Sequence, residues 1–138
     1  MKPLIESTAM SSDLRMLDSS AVIRHFRQGG EATARLEALA GLFLPIVALG
    51  ELDAGAHRSA RPDKNLAQIE TFLGGVTVVP VDDETAQHFG RISAQPTTDG
   101  LPIPQNDMWI AACAMQWGLA LATADEHFHR ITGLKQKR

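Results

Sequence analysis

The apolar residues of this chain occur with two different spacings, and the alternation of the two predicts an α/β fold. Short apolar or β-branched runs at 14–17, 42–44, 76–81 and 119–123 predict strands, and the run at 76–81 is expected to be buried. Longer segments with helical spacing lie between them, at 21–28, 31–40, 46–59, 64–73, 82–94 and 106–117. This order favours a mostly parallel sheet of four to five strands with helices on both faces.

Capping residues and changes in polarity indicate where elements and domains end. Asn106 is expected to cap the last long helix and Gly118 to end it, while residues 131–138 have room for one edge strand. Residues 1–13 are polar and are expected to form a flexible extension. Residues 14–138 then form a single domain, which suits a chain of 138 residues.

Composition narrows the class of protein. Apolar residues make up 44% and charged residues 21%, an ordinary globular mixture. Cys113 is the single cysteine, so an internal disulfide and multi-cysteine zinc sites are excluded, and a reducing cytosol fits. No run reaches the roughly 18 apolar residues that would indicate a membrane helix. The net charge of −3 does not indicate a nucleic-acid binder, but four acids assigned to a metal site would leave 12 acids against 13 Lys and Arg residues.

Two acids follow predicted strands. Asp18 comes at the carboxyl end of the first strand, and Asp125 comes shortly after the last clear strand. In parallel α/β sheets, ligands bind outside the carboxyl ends of the strands. The two acids are therefore expected to meet at one edge of the sheet, although Asp18 could also serve as a helix cap and Asp125 as a turn residue.

Two further acids lie on largely apolar helices. Glu51 has Val47 and Gly55 among its helical neighbours, and an unpaired charge in such surroundings is costly. Asp107 lies in the first turn of its helix. Structural alternatives are an ion pair between Glu51 and Arg58 and a favourable interaction of Asp107 with the helix dipole.

Taken together, the four carboxylates predict a site for a hard divalent cation. Mg²⁺ and Mn²⁺ prefer oxygen ligands. Such an ion lowers the pKa of a bound water and stabilises the charge that builds on a phosphate during in-line displacement. Asp18, Glu51, Asp107 and Asp125 therefore point to phosphodiester hydrolysis.

Four segments carry a pattern that extends over nearly the whole chain, from Met16 to Leu134. They are MLDSSAVI at 16–23, LPIVALGELDAGAHRS at 44–59, PIPQNDMWIAACAMQWGLALATAD at 102–125 and HF at 127–128. In order and spacing, these segments resemble the PIN-domain ribonucleases, specifically the VapC-type toxins of bacterial toxin–antitoxin pairs.

The resemblance implies a PIN fold, endoribonuclease activity that depends on Mg²⁺ or Mn²⁺, an RNA substrate, a homodimer, and a cognate antitoxin that masks the site. It places the acidic positions of the family on Asp18, Glu51, Asp107 and Asp125, and its supporting polar positions on Ser19, Asn106 and Thr123. Asp18 and Asp107 are then expected to be the firmest metal contacts. Glu51 would hold the metal or its water, and Asp125 would act mostly through water or a second ion.

Three features depart from the pattern of the family. The extension before Met16 is longer than usual, and the C-terminus is short, which leaves the last edge strand open. Pro96 falls where the family often continues a helix, so it is expected to end that helix early and to reshape the rim of the groove. None of these features involves the four acids.

Other functions compete with the nuclease hypothesis. A PIN-like binding module without catalysis would keep the scaffold, but the loss of at least one acid would be its expected sign. A phosphatase of the haloacid-dehalogenase type needs a second acid two residues after Asp18, where this chain has Ser20. The run DEHFH at 125–129 could form a zinc or nickel site, but its spacing offers no third strong ligand, so a surface or capping role is favoured for His127.

Two other patterns have both a structural and a functional interpretation. Trp109, Cys113 and Trp117 form one stripe along a helix, which favours core packing over the stacking of RNA bases. A group of basic residues fits a phosphate track and a solvated helix face about equally well. This group consists of Arg24, Arg27, Arg58, Arg61 and Lys64.

Overall fold

The computed structural model describes residues 13–37, 39, 41–97 and 100–137. Its strands are β1 (Leu14–Leu17), β2 (Gly41–Pro45), β3 (Thr77–Val79), β4 (Ala120–Ala122) and β5 (Gln136–Lys137). Its helices are α1 (Ser19–Gln28), α2 (Gly30–Glu37), α3 (Ile46–His57), α4 (Pro62–Leu73), α5 (Asp83–Ser93) and α6 (Gln105–Trp117), followed by a 3₁₀ helix at Glu126–Arg130. The expected flexible extension at 1–13 lies outside the described residues, apart from Asp13.

The strands form one five-stranded sheet in the order β3-β2-β1-β4-β5, and every neighbouring pair is parallel. The predicted parallel sheet is therefore confirmed. Crossovers between parallel strands are right-handed, so a change in the direction of winding moves the connecting helices to the other face. The helices α1 to α4, which connect β1, β2 and β3, thus cover one face, and α5 and α6 cover the other.

From β1 the chain adds β2 and β3 on one side of the sheet, and it then returns to add β4 and β5 on the other side of β1. The direction in which strands are added therefore reverses between β1 and β4. The register pairs Leu17 with Ala122, and the Asp18 N–H donates to the Ala122 carbonyl at 3.4 Å. Asp18 and Thr123, the next residue of each strand, therefore leave the sheet side by side. In open α/β sheets, the crevice at such a reversal is where ligands bind.

The core lies against both faces of the central strands. Met16 and Leu17 of β1, Leu44 of β2 and Leu121 of β4 have no exposed surface. Continuous burial of this kind is typical of strands that are covered by helices on both sides. Phe128 is also fully buried, and it anchors the 3₁₀ helix to this core.

Two of the three residues of the predicted stripe on α6 lie in the core. Cys113 has no exposed surface, Trp117 is 9% exposed, and the ring of Trp109 stacks on Phe89 of α5 with the centroids 4.0 Å apart. The core-packing interpretation is confirmed for Cys113 and Trp117, while Trp109 is only partly buried. Burial, with a smaller effect of Asp82, raises the pKa of the Cys113 thiol to about 12, so this thiol stays protonated at neutral pH.

Two predicted elements differ at the rim of the sheet. The run at 76–81 forms a strand of only three residues, and of these only Val79 is buried. β3 lies at the edge of the sheet, and Pro80 has no N–H with which to extend the ladder. The prediction of a buried strand was therefore wrong. The helix predicted at 31–40 ends at Glu37, since Gly41 already belongs to β2.

The prediction that Asn106 caps α6 was also wrong. Pro104 occupies the N-cap position without a side-chain hydrogen bond, and α6 begins at Gln105. Proline supplies the fixed backbone angle that such a position tolerates. Gly118 ends the helix in the left-handed conformation, as expected.

Two expectations about the C-terminal half are met. α5 ends at Ser93, shortly before Pro96, and the short C-terminus still contributes β5, which pairs with β4 at the other edge of the sheet. In the described part of the chain, no helix has the length and apolar character needed to cross a membrane.

A polar network fastens α5 to α6. Asp82 caps α5 by accepting from the Thr85 N–H at 3.1 Å, and the Thr85 hydroxyl accepts from the Asp82 N–H at 3.0 Å. The same hydroxyl donates to Oε1 of Gln116, whose amide donates to the Asp82 carboxylate at 2.9 Å. Thr85 and Gln116 are buried, so their polar atoms depend on these partners.

Replacing Thr85 by valine keeps the shape of the side chain and removes the hydroxyl. We expect Thr85→Val to lower the free energy of unfolding by about 2 kcal/mol, because the cap weakens and a buried oxygen of Gln116 loses its donor. Urea unfolding followed by circular dichroism measures the change. Thr71→Val on α4, where an exposed hydroxyl donates to the Ala67 carbonyl, is the control and should change stability by less than about 0.5 kcal/mol. Equal stability of Thr85→Val and the wild type would contradict the role of the network.

Candidate active site

Asp18 stands at the end of β1 and is almost wholly buried, with 2% of its surface exposed. Its carboxylate accepts from the Ala21 N–H at 2.9 Å, from Ser20 Oγ at 2.8 and 2.9 Å, and from the Thr123 hydroxyl. Burial raises the pKa of Asp18, these hydrogen bonds lower it, and the charge of Asp125 raises it, with a net increase. Asp18 thus caps α1 and also presents a buried carboxylate at the sheet edge.

Ser20 joins the ends of β1 and β4. Its hydroxyl donates to Asp18, lies 3.2 Å from Thr123 Oγ1 and accepts from the Ala124 N–H at 2.9 Å. The family resemblance placed a supporting position on Ser19, whereas Ser20 entered only as the position that lacks the second acid of a phosphatase. A signal for Ser20 was present, since serine side chains near a helix start often form local hydrogen bonds.

Glu51, on α3, is held from two other helices. Its Oε1 accepts from Ser19 Oγ of α1 at 3.1 Å, and its Oε2 accepts from Asn106 Nδ2 of α6 at 3.5 Å. The structure therefore shows these contacts in place of the alternative pair with Arg58. Ser19 and Asn106 were expected to support the acids, and both contact Glu51.

Asp125 lies just beyond β4, at the start of the 3₁₀ helix. Its N–H donates to Thr123 Oγ1 at 2.9 Å, and its carboxylate accepts from the His127 N–H at 2.9 Å. Asp125 thus caps the 3₁₀ helix, whereas its structural alternative was a turn residue. The same geometry directs its carboxylate toward the other acids.

Asp107 is the acid whose protonation responds most to its surroundings. Only 14% of its side chain is exposed. Its pKa is raised to about 6 in total, mainly by burial and also by the charges of Asp125, Glu51 and Asp18, while His127 lowers it. Since charges influence one another strongly only at short range, the four predicted acids share one site.

His127 also belongs to this site, although its sequence context favoured a surface or capping role. Its Nδ1 lies 3.0 Å from Oδ1 of Asp125 and 3.8 Å from Oδ2 of Asp107. The spacing within the sequence offered no third partner for Asp125 and His127, and the fold supplies Asp107 from α6. The signal available in the sequence for a place of His127 at the site was its position two residues after Asp125.

The donor set of this site fits a divalent cation. Among the described residues, Asp107, Asp125 and His127 each offer one ligand atom, and these atoms lie within 4.8 Å of one another. Carboxylate and imidazole groups bind divalent metals. Asp18 and Glu51 belong to the same cluster of charges but not to this tighter group.

Cavities flank the acids on two sides. One, of about 280 Å³, is lined by Arg27 and Glu51 among others. A second, of about 450 Å³, is lined by Arg24 and Asp125 among others. Two of the five basic residues considered for a phosphate track therefore lie next to the acids. Two others, Arg61 and Lys64, line a separate cavity at the connection between α3 and α4.

The chain is similar in sequence to known proteins. A family model described as PIN domain matches residues 15–134. The protein named ribonuclease VapC2 from Haemophilus influenzae is 35% identical over 123 residues, which cover 87% of this chain and 93% of that protein. The protein named tRNA(fMet)-specific endonuclease VapC from Shigella flexneri is 38% identical over 90 residues, which cover 64% of this chain and 68% of that protein.

The fold is also similar to a solved structure. A chain in the crystal structure of DNA-bound VapBC from Salmonella typhimurium superposes with a TM-score of 0.80 at 30% sequence identity. The likeness covers 90% of this chain and 97% of that chain.

The raised pKa of Asp107 predicts how stability depends on pH when no metal is bound. The folded protein retains a proton on this carboxyl at pH values where the unfolded chain has released it. The resulting stabilisation is complete below the ordinary pKa of 3.8 and is lost as the pH rises through about 6. Asp107→Asn stays uncharged, so at pH 7.5 with a chelator it should be more stable than the wild type by on the order of 1 kcal/mol, allowing for solvent screening.

Urea unfolding at pH 4 and at pH 7.5 tests this prediction. The wild type and Asp107→Asn should be nearly equally stable at pH 4 and differ at pH 7.5. Asp83→Asn, which changes an exposed acid in the first turn of α5, serves as the control and should not become more stable at pH 7.5. If Asp107→Asn were less stable than the wild type at pH 7.5, burial and the neighbouring charges would not destabilise the ionised carboxylate of Asp107.

Proposed function

This chain belongs to the PIN-domain family, and from that premise we propose that it is the endoribonuclease toxin of a toxin–antitoxin pair, which hydrolyses phosphodiester bonds in RNA. The acids gathered at the reversal of the sheet carry the proposal, together with the similarity to a named VapC ribonuclease over most of the chain. A PIN-like binding module without catalysis is the alternative. It would need neither four clustered carboxylates nor the side chains that orient them. Residues 14–138 would form the single PIN domain.

We assign the binding of Mg²⁺ or Mn²⁺ to Asp18, Glu51, Asp107 and Asp125. Grouping these carboxylates in one partly buried site is unfavourable by itself, and the raised pKa values of Asp18 and Asp107 reflect this cost. A divalent cation offsets it. When bound, such an ion activates water for attack and stabilises the charge on the phosphate.

Side chains around the acids would act as positioning residues. Ser19 and Asn106 contact Glu51 from two helices, while Ser20 and Thr123 donate to Asp18. Hydrogen bonds of this kind fix the direction in which a carboxylate presents its oxygens. Groups that orient metal ligands commonly affect metal affinity and activity by about 10- to 100-fold.

The proposed substrate is single-stranded or looped RNA. Unstacked bases are accessible to sequence-specific recognition, whereas the deep groove of an RNA duplex is not. The cavities on either side of the acids give the strand room to continue in both directions, with Arg27 and Arg24 placed to meet its phosphates. Transfer RNA is one candidate, because the Shigella flexneri relative is named as a tRNA(fMet)-specific endonuclease.

The proposed partners are a cognate antitoxin protein, which would mask the acids, and a second copy of the chain. The Salmonella typhimurium structure with a similar fold is a VapBC complex on DNA, which supports an antitoxin partner. The cytoplasm is the proposed compartment, since a free buried thiol and an RNA substrate both suit it.

Cleavage of RNA should depend on Asp107 and on a divalent metal. We expect purified, antitoxin-free protein to cut total bacterial RNA into discrete fragments with Mg²⁺ or Mn²⁺ but not with a chelator. Asp107→Ala should reduce the rate by at least about 100-fold, because the ion loses a ligand. Gel analysis and sequencing of the fragment ends measure both effects.

Asp83→Ala, outside the acid cluster, is the control and should cut at the wild-type rate. Asp107→Ala that cuts at the wild-type rate would overturn the site assignment. A folded wild type that cuts no RNA with either metal would favour the binding module instead.

A homodimer is the proposed state of the antitoxin-free chain. Size-exclusion chromatography with light scattering should give twice the chain mass of 14.9 kDa at micromolar concentration. A mass equal to one chain under these conditions would contradict this part of the proposal.

A further inference from the structure

The ring of His127 occupies a position at the site that its sequence neighbourhood alone does not explain. The side chain is 47% exposed, yet its Nδ1 points into the acid cluster, 3.0 Å from Asp125 and 3.8 Å from Asp107. Two features hold it there. The His127 N–H donates to the Asp125 carboxylate at 2.9 Å, and the adjacent Phe128 is fully buried in the core.

The separations between these atoms match those of ligands that share one ion. Two ligands bound at about 2.1 Å to an octahedral ion are about 3.0 Å apart when adjacent and about 4.2 Å apart when opposite. The contact of His127 with Asp125 has the adjacent spacing, and that with Asp107 lies between the two values. The ligand atoms of Asp107, Asp125 and His127 all lie within 4.8 Å of one another, so small adjustments of these side chains would let one ion contact all three.

We propose that His127 is a nitrogen ligand of the divalent ion and that it makes this site prefer Mn²⁺ to Mg²⁺. This inference rests on the proposed function, because the ion in question is the one that the nuclease would use. Mg²⁺ favours oxygen ligands and retains several waters. Imidazole binds first-row transition ions better, and Mn²⁺ is the member of that series that also accepts a carboxylate-rich site.

A simpler role for His127 predicts a different result. If the ring were only a cation that neutralises Asp107 and Asp125, its removal would leave the site more negative. Both ions would then bind equally well or more tightly in its absence. As a ligand, His127 should instead contribute chiefly to the binding of Mn²⁺.

The experiment compares Mn²⁺ and Mg²⁺ binding to the full-length protein by calorimetry and examines the Mn²⁺ complex by pulsed electron paramagnetic resonance. The wild type should show modulation from a directly bound imidazole nitrogen. His127→Ala should lose that modulation and bind Mn²⁺ at least about 10-fold more weakly, while Mg²⁺ affinity changes by less than about 3-fold. His127→Gln, which keeps a polar side chain of similar length, should give the same result. It provides a second variant if His127→Ala does not fold.

His129→Ala is the matched control, because it removes an exposed histidine from the same 3₁₀ helix and should leave the nitrogen signal and both affinities unchanged. Nitrogen modulation that is absent from the wild type, or that persists in His127→Ala, would overturn the proposal. So would equal or tighter binding of both ions by the His127 variants. If the protein cleaves RNA but gives no nitrogen signal, the role of His127 as a metal ligand is rejected and the nuclease function stands. If it gives a nitrogen signal but cleaves no RNA, the nuclease function is rejected and the role of His127 as a metal ligand stands.

Discussion

The reversal of winding between β1 and β4 is the constraint on which the rest of the structure depends. Because crossovers are right-handed, the chain covers one face of the sheet on its way to β3 and the other on its return to β4. The carboxyl ends of β1 and β4 are thereby left as an open crevice, with Asp18 and Thr123 at its base. Helices from the two faces then bring Glu51 and Asp107 to the same place. The site is thus a consequence of the topology rather than of any one loop.

The two acids with raised pKa values are stabilised in different ways. Asp18 is buried within a set of hydroxyl and amide donors from Ser20, Ala21 and Thr123, which compensate much of its burial. The charges around Asp107 are mostly of its own sign, and its pKa reaches about 6. The network therefore holds Asp18 in place, while Asp107 would gain most from a bound cation. A local loss of stability of this kind is common at functional sites, and it fits the proposed metal-binding role of Asp107.

Several parts of the fold and site could be predicted because their causes lie in neighbouring residues. A strand such as 14–17 is marked by its apolar run, and the end of α6 by Gly118. The four acids could be selected because each comes shortly after a strand or lies within a largely apolar helix. The edge position of β3 could not be read from its β-branched run, because the number of neighbours of a strand depends on the order of the whole sheet.

The alternation of strands and helices, the family and the choice of the four carboxylates could be predicted from the sequence, since spacing and residue type are properties of short segments. Which atoms meet depends on the folded arrangement of distant segments. Ser20 contacts Thr123 across 103 positions of sequence, Asn106 serves Glu51 rather than its own helix, and His127 joins Asp107 from another element. Such contacts depend on strand order and register to within an ångström. Local propensities do not contain that information, because each of them is the same whichever neighbour the fold provides.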